Sequence, residues 1–177
     1  SAQVSLQVAE SLPGAPAAPT ALEAVAVATN QINLSWTDAA AVENGYRVLR
    51  RTGAGAWSEI MTLSADASSY EDIGLAASTS YRYLVEAFNA AGASLSAEAS
   101  AQTWAPIDAW RRAKFGTTEA LGPTADGGDW DGDGLPNLVE YALGLDPRVD
   151  NYPMMPFAWQ VEGGVVIGTN RFLTATY

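Results

Sequence analysis

In the stretch SYRYLVEAFNAAG, Tyr81, Tyr83, Val85 and Ala87 fall on every second residue, with Arg82 and Glu86 on the alternate positions. Only an extended chain sends alternate side chains to opposite sides, so this segment must be a strand with one face buried and the other wet. The same period recurs upstream. INLSW aligns Ile32, Leu34 and Trp36, and YRVLRR aligns Tyr46 and Val48. Turns such as VENG and TGAG separate these runs, rich in residues that favour tight backbone reversals. About seven short strands fit into residues 16–103, which predicts a mainly β fold, a sandwich of two antiparallel sheets.

Several residues sharpen that expectation. Pro19 leads the segment, Trp36 lies on the second strand, GYRVLRR forms the third, and LAASTSYRYLVEAFNAAG places Leu75 six residues before Tyr81. Together they resemble a fibronectin type III domain, an immunoglobulin-like sandwich, over about half the chain. The resemblance implies that the Tyr81 hydroxyl bonds back to nearby backbone as a tyrosine corner, and it brings no catalytic residue. Trp36, Tyr46, Tyr81 and Tyr83 read as core. Trp57, after the GAG turn, is less constrained.

Composition narrows the chemistry. Nine Lys and Arg against twenty Asp and Glu give a formal net charge of -11, which repels a nucleic-acid backbone. With no Cys and no His, thiol catalysis, disulfides, thiolate zinc sites and imidazole bases are excluded, and only hard oxygen ligands remain for a metal. No apolar run is long enough to span a bilayer. Paired carboxylates could in principle hydrolyse glycosides, but that chemistry needs them held apart across a cleft, so the chain reads as non-enzymatic.

After Thr103 the period changes. PIDAWRRAKFG places Ile107, Trp110, Arg111 and Lys114 at helical spacing, with Pro106 in the first turn and Gly116 able to end the helix. Ile107, Trp110 and Ala113 are expected to form a narrow apolar stripe, with Trp104 and Trp110 at the seam where the helix docks.

The segment DWDGDGLPNLVE then concentrates acid. Counted from Asp129, it has Asp at positions 1, 3 and 5, Gly134 at 6, Asn137 at 9 and Glu140 at 12. This is the spacing of an EF-hand calcium loop, in which alternate residues point inward and the last carboxylate clasps the ion. The expected ligands are the side chains of Asp129, Asp131, Asp133 and Glu140, the carbonyl of Leu135, and Asn137 directly or through water. So many negative charges repel without a cation, and magnesium prefers a smaller shell that keeps its waters. Pro136 at position 8 lacks the N–H through which paired hands bond, so a single hand is expected. The incoming GPTADGG cannot be a regular helix, whereas LPNLVEYALG can be a short exiting one stopped by Gly144, with Leu138, Val139, Tyr141, Ala142 and Leu143 as its apolar contacts. Asp126 reads as a solvated turn residue or an outer neighbour of the ion. With little paired helix to move, the calcium is expected to be structural.

DWDGDGLPNLVEYALGLDP, preceded by Trp110, Phe115 and Gly116, also resembles the calcium motifs of dockerins and thrombospondin type 3 repeats. It is most similar to a version near the C-terminal ends of large secreted or surface proteins of planctomycetes and verrucomicrobia. Only one loop is present, so the paired surface by which dockerins bind cohesin is missing.

Four regions result: a terminal strand and linker at 1–15, the sandwich at 16–103, the helix and calcium loop at 104–150, and an incomplete β segment at 151–177. In the first, Val4, Leu6 and Val8 alternate as in the last strand of a preceding domain. In the last, WQV and VVIG flank a Gly163–Gly164 turn, and RFLTATY reads as a further strand. A start at Ser1 and an end inside a strand pattern predict a piece of a longer polypeptide, or an edge completed by another subunit. The expected function is a calcium-stabilised structural spacer of a secreted or cell-surface protein. Alternatives are a polysaccharide-binding module, displaying an aromatic row that includes Trp57, Trp104 or Trp159, and a subunit of an extracellular assembly joined through its terminal strands.

Overall fold

A computed structural model describes residues 14–151, 157–162 and 165–170. The chain divides into two compact units, Ser1–Ala105 and Pro106–Tyr177.

The first unit is a sandwich of two antiparallel sheets. One sheet has the order β1 (Thr20–Ala26), β2 (Gln31–Thr37), β5 (Ser69–Ile73). The other has the order β4 (Ser58–Ser64), β3 (Gly45–Thr52), β6 (Ser80–Asn89), β7 (Gly92–Leu95), with β8 (Ala99–Gln102) also paired to β6. Ile32, Leu34, Trp36, Tyr46, Val48, Leu75, Tyr81, Tyr83, Val85 and Ala87 fill the space between them. The inward set predicted from two-residue alternation is thus buried on both sheets, because opposite faces of each strand meet oil and water.

The expected seven strands become eight, since the last is interrupted. Between β7 and β8, Ser96 accepts the Val85 N–H on its hydroxyl at 3.0 Å, so a side chain keeps that donor satisfied where the ladder breaks. Glu98 in the interruption pairs with Arg51 at 2.8 Å and Arg82 at 3.0 Å.

Tyr81 behaves as the resemblance implies. Its hydroxyl accepts the backbone N–H of Ala76 at 3.0 Å, pinning the segment before β6 to the strand. Tyr81→Phe should cost about 1 kcal/mol, the net worth of one such bond, read as a lower urea midpoint at unchanged slope.

The second unit opens with α1 (Pro106–Phe115), continues through a 3-10 turn (Gly122–Thr124) and the acidic segment, and reaches α2 (Asn137–Leu143). Further on, β9 (Phe157–Glu162) and β10 (Val165–Asn170) pair antiparallel, with Val165 opposite Glu162. The expected terminal strand with Val4, Leu6 and Val8, the Gly163–Gly164 turn and the RFLTATY segment lie outside the described residues.

Two helix faces differ from the sequence expectation. In α1, Ala113 is exposed and Arg111 is buried, because the guanidinium lies between Asp108 and Asp126. In α2, Leu138, Ala142 and Leu143 are exposed while Asn137 and Glu140 are buried. The polar residues take the inner face there because the acidic segment lies against it.

Candidate metal centre

Asp129, Asp131 and Asp133 each bring one carboxylate oxygen within 4.8 Å of the others. The loop backbone orients them. Asp129 accepts from Gly132 N–H at 2.8 Å and Gly134 N–H at 2.9 Å, and Asp133 accepts from Leu135 N–H at 2.7 Å. Gly134 has φ 90°, the sharp turn expected at position 6, in a region a residue with a β-carbon seldom enters.

Glu140, on α2, lies near enough to feel the charge of all three. It is 0% exposed, and neither of its carboxylate oxygens has a hydrogen-bond partner among the described residues. Burial, followed by repulsion from Asp131, Asp133 and Asp129, pushes its pKa up to about 7. Asp131 is raised too, chiefly by burial, and its Oδ2 is also buried without a partner. Most buried polar atoms in native proteins have a partner, so these unpartnered acceptors beside a cluster of carboxylates make a donor set suited to a positive charge. A divalent cation fits the donor set, which is oxygen throughout.

Asn137 has a second duty that spacing does not reveal. Its Nδ2 donates to the carbonyls of Pro123 at 2.7 Å and Ala125 at 2.8 Å, and its N–H donates to Gly128 O at 2.7 Å. The amide therefore clamps the incoming chain to the start of α2, and Oδ1 is left buried without a partner. A β-carbon at Gly128 would come within 2.5 Å of Pro123 O, so only glycine permits this approach.

The missing entering helix is replaced by α1, through side chains. Trp110 packs on Tyr141 with ring centroids 5.5 Å apart, and Phe115 packs on Trp130 at 4.8 Å. Lys114 pairs with Asp146 at 3.0 Å, and the buried Arg111 pairs with Asp126. Asp126 is thus an anchor for α1 rather than a free turn residue. A cation at helical spacing beside Trp110 was visible in the sequence, but its burial and its partner fifteen residues later were not.

A second acidic group, Asp38, Glu43 and Asp66, also gathers oxygens within 4.8 Å. It differs in being already satisfied in part: Asp38 accepts from Ala40 N–H and the Tyr46 hydroxyl, and Glu43 accepts from Asp66 N–H. None of its oxygens is a buried orphan.

Two of the tryptophans named for a sugar platform fall among the described side chains. Trp57 is half-buried with the Arg51 guanidinium 4.5 Å over its ring, and Trp104 is half-buried with its backbone bonded to Ala28 and Ser78. The side chain of Trp159 lies outside the described residues. No helix of the described residues is long and apolar enough to cross a membrane.

Comparison with known proteins places the sandwich. The fibronectin type III domain profile matches residues 17–103. Exoglucanase B of Cellulomonas fimi is 41% identical over 94 residues, spanning 50% of this chain and 8% of that protein. Among solved structures, an Fn3-like protein from Clostridium thermocellum is 39% identical, with a TM-score of 0.45 over 51% of this chain and 95% of its own. An fn3 domain of human collagen alpha-1(XX) is 26% identical, with a TM-score of 0.47 over 55% of this chain and 93% of its own. The profile match, the two-sheet order and the Tyr81 corner agree that residues 17–103 have the fold of a fibronectin type III domain.

Proposed function

We propose that residues 106–151 hold one structural calcium ion, and that the chain is a non-enzymatic, calcium-stabilised spacer in a larger secreted or cell-surface protein. The observation that carries this reading is Glu140, a fully buried carboxylate with two unpartnered oxygens beside Asp129, Asp131 and Asp133. Calcium supplies the positive charge that turns their mutual repulsion into attraction. The chain's part is to fix the donors. The Gly132 and Gly134 N–H groups aim Asp129, α2 carries Glu140, and the Asn137 clamp holds the entrance closed. The spacer reading is supported by the family, and by a relative, an exoglucanase, in which the matching part is a small fraction of a long polypeptide.

Calorimetric unfolding with calcium and with chelator tests the proposal. An ion that binds only the folded state at a hundredfold excess over its dissociation constant adds about 2.7 kcal/mol. For a unit of this size that is a rise of roughly 10–20 °C. The rise should be absent in Asp129→Ala/Glu140→Ala and much smaller with magnesium. Equal melting in calcium and chelator, with no ion bound to the purified protein, rules the site out.

A further inference from the structure

Beyond α2 the chain does not leave the acidic loop but folds back over it. Leu145 N–H bonds Glu140 O at 2.9 Å, Val149 N–H bonds Asp146 O at 3.1 Å, and Pro147 is fully buried. Asp146 ties this return to α1 through Lys114 and also pairs with Arg148 at 3.4 Å. The return ends at Asn151, which is 5% exposed. Its side-chain amide donates to the carbonyls of Asp146, at 3.3 Å, and Val149. Its backbone N–H donates to Oδ2 of Asp133 at 2.7 Å.

We propose that Asn151 is a positioning residue for the metal, and that residues 145–151 form a strap which the ion closes onto the loop through Asp133. The inference rests on the calcium reading above. Asp133 has two oxygens, one aimed by Leu135 N–H and the other by Asn151 N–H. With both bonds in place the carboxylate plane is fixed, and each oxygen keeps a lone pair for a cation. Such outer partners typically change metal affinity about 10–100-fold when removed. The coupling is reciprocal: whatever the strap contributes to holding the ion, the ion contributes to holding the strap.

The test uses the full chain, with hydrogen–deuterium exchange of the 145–151 peptide and calcium titration. Calcium should slow exchange in that peptide at least about tenfold. Asn151→Pro, which removes the N–H, should weaken calcium about tenfold, whereas Asn151→Ala, which keeps it, should weaken calcium less than about threefold. An Asp133→Asn background separates positioning from general damage, because the fifth position of such loops accepts Asn and still binds. In that background Asn151→Pro should change affinity less than about twofold. Loss of calcium binding by the unaltered protein would sink the metal reading itself. Binding by the unaltered protein with strap exchange unchanged by calcium overturns the strap. So does an equal effect of Asn151→Pro in both backgrounds. If Asn151→Pro does not fold, the exchange measurement on the unaltered protein decides alone.

Discussion

Glu140→Gln should have opposite effects on the two states of the protein: it abolishes stabilisation by calcium, and it makes the calcium-free C-terminal unit more stable at pH 8. Without calcium, the buried Glu140 carboxyl has its pKa pushed up to about 7 from an ordinary 4.5, first by burial and then by its aspartate neighbours. A raised carboxyl pKa means that the folded chain holds a proton the unfolded chain has already lost. Stability in chelator therefore falls as pH rises from about 4.5 to about 7, then levels. The drop is roughly 3 kcal/mol, from the size of the shift. Gln carries no charge, so the variant in chelator should lose this slope and melt higher than the unaltered protein at pH 8. Gln also offers only one acceptor oxygen and no charge to an ion, so the calcium-dependent rise should vanish. Calorimetry at pH 5 and pH 8, with and without calcium, reads both signs. A variant that melts lower than the unaltered protein in chelator at pH 8 would show that Glu140 is compensated by something other than a metal.

Asp72→Ala should cost the sandwich about 3–5 kcal/mol, the largest loss expected from a single polar residue in that unit. Asp72 is 3% exposed on β5 and reaches across to the opposite sheet. It pairs with Arg50 at 2.7 Å and accepts the Tyr83 hydroxyl at 2.8 Å. Tyr83 is 0% exposed, and burial with the adjacent carboxylate drives its pKa far up, so the phenol is a permanent donor. Removing the carboxylate strands that donor in the core, and the Arg50 charge loses its counterion. Much of the cost is the stranding rather than the pair's own worth. Asp72→Ala/Tyr83→Phe should therefore be less destabilised than the sum of the two single variants by at least about 1 kcal/mol in urea denaturation. Strict additivity would mean that the hydroxyl and carboxylate do not act together.

How far each unit could be read in advance follows from the range of its interactions. The strands of the sandwich announce themselves because burial on a pleated sheet is decided two residues at a time, as at Tyr81, Tyr83 and Val85. The interruption at Ser96 was invisible, since it depends on a hydroxyl meeting Val85 N–H across the sheet. In the second unit the acidic spacing named the candidate ligands, and the structure gathers Asp129, Asp131 and Asp133, with Glu140 near enough to feel their charge. Spacing could not show which helix face is inner. Apolar content pointed α2 outward-in, with Leu138 and Leu143 buried, whereas Asn137 and Glu140 are drawn inside by the loop they serve. Nor could it find Asn151, eighteen residues from Asp133, or the pairing of Arg111 with Asp126.

The replacement of an entering helix by side-chain contacts from α1 bears on how such a chain can change in length. In a continuous helix one inserted residue rotates everything beyond it by about 100°, so a ligand loop joined that way tolerates no insertion. Here α1 reaches the loop through Arg111–Asp126, Lys114–Asp146 and the Phe115–Trp130 stack, with residues 116–121 joining it to the 3-10 turn. Doubling a flexible bridge costs only about 0.6 kcal/mol in closure entropy. The point just after Gly116 is therefore where residues can be gained or lost in descent, or spliced in by design, without moving the Asp129, Asp131, Asp133 and Glu140 carboxylates.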